Sequence, residues 1–112
     1  MEAESGQDYY QVSVTAPTEE EARAVGRKAV EGRLAACAQV SGPIVSTYWW
    51  EGEITWASEY LVTLKTTSDQ LPSLLAAVKE AHSYEVPEIV ATPIVAGDSA
   101  YLAWIKDETR ER

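Results

Sequence analysis

The chain has 112 residues, a formal net charge of −9 and a sequence pI near 4.5. That length bounds it to one domain. The acidic balance argues against binding nucleic acid or an anionic membrane surface, both of which need clustered basic groups. A single cysteine, Cys37, excludes an intrachain disulfide. No apolar run is long enough to span a bilayer and no basic stretch precedes an apolar one as in a secretory signal, so the expected compartment is the cytoplasm.

The predicted elements begin at Tyr9, after a small, polar segment (1–8) expected to fray. From Tyr9 to Ala16 the chain alternates, with Tyr10, Val12, Val14 and Ala16 on one face and Tyr9, Gln11, Ser13 and Thr15 on the other. This is the period of a strand. Pro17 stops it, and Thr18 with Glu21 has capping-box spacing, so a helix starts there. Its apolar stripe is Ala22, Val25, Ala29 and Val30, its first turn holds Glu19, Glu20 and Glu21, and Gly32 marks its end. Leu34 to Val40 reads as a second strand. Gly42-Pro43 interrupts it, predicting a bulge or bend, and Ile44 to Trp50 resumes extended.

Glu51-Gly52 is a hairpin signal; Glu53 to Trp56 pairs back and Glu59 to Thr67 continues as a third strand. Ser68 or Asp69 is the expected cap of a second helix, with Pro72 in its first turn and Leu71, Leu74, Leu75, Val78 and His82 on its buried face. Pro87 ends the following loop. Glu88 to Val95 is a fourth strand, and Pro93 within it requires an edge position or a bulge. Asp98 or Ser99 caps a terminal helix holding Tyr101, Leu102, Trp104 and Ile105, and the charged segment 108–112 is expected to fray.

The order β-α-β-β-α-β plus a helix predicts an α+β, ferredoxin-like domain over residues 9–107, with two helices on one face of an antiparallel sheet. The opposite face would then carry Gln11, Ser13 and Thr15, then Cys37, Gln39 and Ser41, then Leu61, Thr63 and Lys65. These groups are small, mostly polar and almost uncharged, which suits a face packed against other protein. The arm around Thr47, Tyr48, Trp49, Trp50, Ile54 and Trp56 would stand alone on a monomer, where isolated two-stranded ribbons are marginal. An oligomer with inward-facing sheets, in which the arm pairs with a neighbour's edge strand, accounts for both features; the alternative is a monomer with a weakly polar face.

Several motifs now stand in order: Arg33-Leu34-Ala35-Ala36-Cys37, Tyr48 with Trp50-Glu51-Gly52, Leu64-Lys65-Thr66, Tyr84-Glu85-Val86-Pro87-Glu88-Ile89, and Gly97 with Tyr101-Leu102-x-Trp104-Ile105. Together they resemble the CutA divalent-cation tolerance proteins over roughly residues 9–107. The resemblance implies a homotrimer similar in build to PII-type signalling proteins, helices outside and sheets inside, linked to tolerance of copper and other divalent cations. Ser83 departs from the pattern, standing where the family usually has proline after the histidine. That change is expected to loosen the loop.

The candidate metal ligands are His82, Cys37, Glu85 and Glu59. Imidazole suits copper, zinc or nickel, carboxylate suits harder ions, and thiolate suits Cu(I) or zinc. One histidine and one cysteine, far apart in sequence, argue against a closed tetrahedral zinc site within a subunit, but a three-fold assembly multiplies each ligand. Against these roles stand ordinary ones: a helix-end histidine, an ion pair of Glu85 with Lys65, and an inert buried thiol. Lys65, Tyr84 and Trp50 are candidates to line a ligand cleft, and Trp49, Trp50, Trp56 and Trp104 to anchor an interface. Neither a nucleophilic triad nor a glycine-rich phosphate loop is present, and acid–base work by Lys65, His82, Tyr84 and Glu85 lacks a recognisable substrate. The readings left open are a divalent-cation binder, a PII-like module binding a small anionic or polar ligand in intersubunit clefts, and a metal-independent scaffold.

Overall fold

A computed structural model describes residues 8–111, so the fraying expected of 1–8 lies almost wholly outside the described residues. The elements run β1 (Tyr9–Ala16), α1 (Glu19–Glu31), β2 (Cys37–Trp50), β3 (Glu53–Thr67), α2 (Leu71–Ala81), β4 (Ile89–Pro93) and α3 (Ser99–Glu108). The strands form one antiparallel sheet in the order β2-β3-β1-β4. This is the ferredoxin-like topology that the element order predicts.

The Oγ1 of Thr18 accepts the Glu21 N–H at 3.1 Å and starts α1 as expected. Gly32 caps its far end, but the left-handed residue is Arg33, with φ 62°. Arg33 N–H donates to Val30 O and Leu34 N–H to Ala29 O, which is a Schellman motif. Arginine holds this glycine-favoured position while its guanidinium donates to Glu108 Oε1 at 2.7 Å and Glu108 O at 3.1 Å. Leu34 and Ala35 both direct their N–H groups at Ala29 O, so β2 starts at Cys37 rather than Leu34.

The core lies between α1, α2 and one sheet face: Val12, Val14, Ala16, Val62 and Leu64 meet Ala22, Val25, Ala29, Leu74 and Val78. Burying each of the larger aliphatic side chains contributes about 1.5–3 kcal/mol. Val30, expected in the α1 stripe, is 36% exposed, and Gly26 takes the contact instead. A Cβ on Gly26 would lie 2.8 Å from the Ala38 Cβ, so glycine lets α1 approach β2.

The predicted irregularity is a register shift between Ser41 and Ile44. Gly42 adopts φ 143°, and a Cβ there would sit 2.8 Å from the Tyr60 ring. Beyond it β2 and β3 continue as a two-stranded arm closed by Glu51 (φ 50°) and Gly52 (φ 80°), the two positive angles of a type I′ turn. The arm draws the subunit out to 49 Å against 27 and 22 Å. Cross-strand register puts Val45, Trp49, Ile54 and Trp56 on one side of it, each 66–72% exposed in the single subunit.

Register also unites the helix-free face: Cys37 opposes Lys65, which opposes Gln11; Gln39, Thr63 and Ser13 form the next row; Ser41, Leu61 and Thr15 the next. One end of this face is covered by α3, whose Leu102 and Ile105 pack on Tyr9 and Ala36. Asp98 caps α3 by accepting the Tyr101 N–H at 3.0 Å. Helix α2 departs from expectation: its N-cap is Gln70, not Ser68 or Asp69, and the Gln70 amide donates to Thr109 O. Thr109 is accordingly 2% exposed and Glu108 still helical, so the charged end is packed further than the expected boundary at 107. The edge strand β4 is shorter than predicted, and Pro93 ends it.

Candidate functional site

The side chain of His82 is fully buried at the end of α2. A backbone N–H can only donate, so the Tyr84 N–H, 3.0 Å from Nδ1, fixes Nδ1 as acceptor and leaves the proton on Nε2. Nε2 then donates to Thr15 O at 2.6 Å. Both ring nitrogens of this candidate ligand are thereby engaged by backbone within the subunit, in keeping with the helix-end role weighed beside it.

Glu21 completes this lock. Its Oε2 accepts from Ser83 N at 3.0 Å and Ser83 Oγ at 2.9 Å, and lies 3.4 Å from His82 Nδ1. Proline at 83 could donate neither bond. The serine therefore ties down the loop it was expected to loosen.

The loop 83–88 roofs a pocket of about 990 Å³ beside the root of the arm. Its lining includes Thr15, Ser46, Tyr48, Trp50, Glu59, Ser83, Tyr84, Glu85 and Glu88. Glu59 continues the helix-free row of Leu61, Thr63 and Lys65 by strand period, and is only 7% exposed. Its Oε2 accepts from the Tyr84 hydroxyl at 3.3 Å. Burial raises the Tyr84 phenol above its ordinary value, and the Glu59 carboxylate raises it further by disfavouring a second negative charge.

Of the expected ligands, the structure brings Glu59 and Glu85 into one pocket with Tyr84 and Trp50. It separates Cys37 and Lys65 from them. Cys37 opposes Lys65 and Glu59 lies six residues earlier on β3, about 20 Å away along the strand. Lys65 donates to Gln39 Oε1 at 3.0 Å rather than pairing with Glu85. Cys37 Sγ lies 3.6 Å from the Tyr101 hydroxyl, and this contact, aided by partial burial, raises the Tyr101 phenol. Trp104 stacks on Tyr101 with centroids 5.6 Å apart, while Trp49 and Trp56 share the exposed side of the arm. Among the described residues, no three His, Cys, Asp or Glu side chains converge as metal ligands within one subunit.

The roles of Glu21 and of the Thr15 carbonyl were not foreseen. Glu21 carried a signal only in its capping-box position, from which a glutamate ordinarily reaches back to the cap N–H.

A family model described as CutA1 divalent ion tolerance protein matches residues 10–108. The chain is 44% identical over 98 residues to the Divalent-cation tolerance protein CutA of Thermus thermophilus, covering 88% of this chain and 95% of that protein. It is 40% identical over 100 residues to the chloroplastic protein CutA 1 of Oryza sativa, of which it spans only 56%. The crystal structure of CutA from Xylella fastidiosa superposes with a TM-score of 0.90 at 32% identity, covering 92% of this chain and 99% of that one.

Proposed function

We propose, from the premise that this chain belongs to the CutA1 divalent ion tolerance family, that it acts as a non-catalytic cytoplasmic homotrimer that binds divalent cations, copper foremost, in support of metal tolerance. The observation that carries the cation reading is Glu59, a buried carboxylate facing a pocket that also presents Glu85 and Glu88. A carboxylate held away from water is stabilised by a positive charge. For a given donor set Cu(II) binds more tightly than the other divalent first-row ions, which favours copper among them.

This reading includes a three-fold assembly. Within one subunit the carboxylates do not converge, so further ligands come from a neighbour around the three-fold axis. The bare side of the arm, with Val45, Trp49, Ile54 and Trp56, is the surface that neighbour covers. Cys37 stands apart as a thiolate position for softer ions.

Calorimetric titration with Cu(II) tests the site. Binding that is lost in a Glu59→Gln/Glu85→Gln variant and retained in Cys37→Ala supports the acidic pocket. Loss in Cys37→Ala alone moves the ion to the thiol.

A second reading is a PII-like signalling module with a small ligand in the cleft. It is favoured by the size of the pocket and by the rings of Tyr48, Trp50 and Tyr84 along it. Those rings serve an organic ligand better than a bare ion.

A further inference from the structure

Glu59 is 7% exposed, and its hydrogen bond comes from a neutral phenol, Tyr84, at 3.3 Å. The closest cationic side chain by strand register, Lys65, is turned to Gln39 on another part of the sheet. Within this subunit Glu59 is thus a buried carboxylate with no counter-charge beside it, which a cation in the cavity would stabilise. The lining of that cavity contains Glu85 and Glu88 on the opposing loop and no lysine or arginine among the described residues. The wall that this subunit supplies therefore favours a cationic ligand over an anionic one such as a nucleotide.

Size and shape narrow the cation further. A metal ion needs its ligands converging at about 2.0–2.6 Å, yet the carboxylates are distributed around a cavity of about 990 Å³. The same lining carries the rings of Tyr48, Trp49, Trp50 and Tyr84. Ammonium groups are attracted to ring faces, and methylene chains cover them.

We infer that the pocket binds a linear aliphatic polyamine, one ammonium on the buried Glu59 carboxylate, another on Glu85 or Glu88, and the methylene chain lying along the aromatic rings. This rests on the cleft reading and names its ligand class. Metal binding at the carboxylates is a separate event that competes for the same charge.

Calorimetry with spermidine, run on the assembled protein with EDTA present, tests it. The expected result is saturable binding, with butylamine at least about tenfold weaker because it lacks the second charge, and ATP silent. Glu59→Gln weakens spermidine roughly tenfold or more. Glu85→Gln/Glu88→Gln, at exposed loop positions where folding is not at stake, weakens it as well. Spermidine giving no binding while Cu(II) still binds overturns the polyamine and leaves the metal reading standing. Equal affinity in wild type and both variants places the amine elsewhere and also overturns it. Saturable ATP binding with spermidine silent overturns the ligand class while keeping the cleft.

Discussion

The imidazole of His82 joins the end of α2 to the end of strand β1 through Thr15 O, 2.6 Å from Nε2, beside the loop that carries Tyr84, Glu85 and Glu88. The same ring accepts the Tyr84 N–H, so one buried side chain sets both where the helix stops and where the pocket roof begins. His82→Ala leaves the Thr15 carbonyl and the Tyr84 N–H without those partners and opens a cavity. It should cost about 2–4 kcal/mol, read by urea denaturation. A change below about 0.5 kcal/mol would show that the roof is held by something else.

Ser83→Pro tests the Glu21 tie. His82 already has the extended backbone that precedes proline, with φ −85° and ψ 142°. The chain-entropy gain is about 0.4–1 kcal/mol. The two bonds lost to a charged acceptor are exposed, so together they contribute about 1.5 kcal/mol, the low end for a single such bond when buried. The losses win, so Ser83→Pro should be destabilised by about 1 kcal/mol, and Glu21→Ala by at least as much. A stabilised Ser83→Pro would mean that the Glu21 bonds contribute little.

Titration of Tyr84 gives a prediction with a definite sign. Its folded value lies above the ordinary 10.0, because burial and then Glu59 disfavour the phenolate. The unfolded chain therefore loses this proton first as pH rises. The associated stability is fully present below about pH 10 and is lost as pH climbs from there through the folded value. Phenolate absorbance, compared between wild type and Tyr84→Phe, reads the folded value directly. Glu59→Gln should lower it without returning it to the ordinary value, since burial remains. A midpoint unchanged by Glu59→Gln would show that the carboxylate does not act on this phenol.

Charge on the bare side of the arm should break the assembly. Trp49→Glu with Ile54→Lys places opposite charges at a directly paired position, so the arm itself loses little cross-strand stability. A neighbour packed on that side would have to bury both charges. Sedimentation velocity should show the wild type as a trimer and the variant as single subunits. A variant that stays trimeric would move the interface off this surface.

The strand pattern made much of the fold readable. Alternation in β1 assigned Val12 and Val14 to the core and Gln11 and Ser13 to the other face, and the register of β3 agrees residue by residue. Turns were legible where chemistry demands particular residues, as at Glu51-Gly52 and at Thr18 with Glu21. Arg33 was not, because its left-handed backbone is stabilised by Glu108, 75 positions away. The site was half legible. Residue types named Glu59, Glu85, Tyr84 and Trp50, which the fold does gather. Helical spacing placed His82 on a buried face but could not reveal that Thr15 and Tyr84 occupy its nitrogens, since those partners meet only through tertiary packing. Cys37 and Lys65 looked like site members by type, and strand register alone carries them to the other end of the sheet.

Native mass spectrometry during Cu(II) titration reads assembly and cation uptake in one spectrum. The predicted result is a species of three chains that gains copper, with the gain abolished in Glu59→Gln/Glu85→Gln while the three-chain mass persists. Single chains at micromolar protein, or a three-chain species whose copper uptake is indifferent to both substitutions, would contradict a cation pocket built on Glu59.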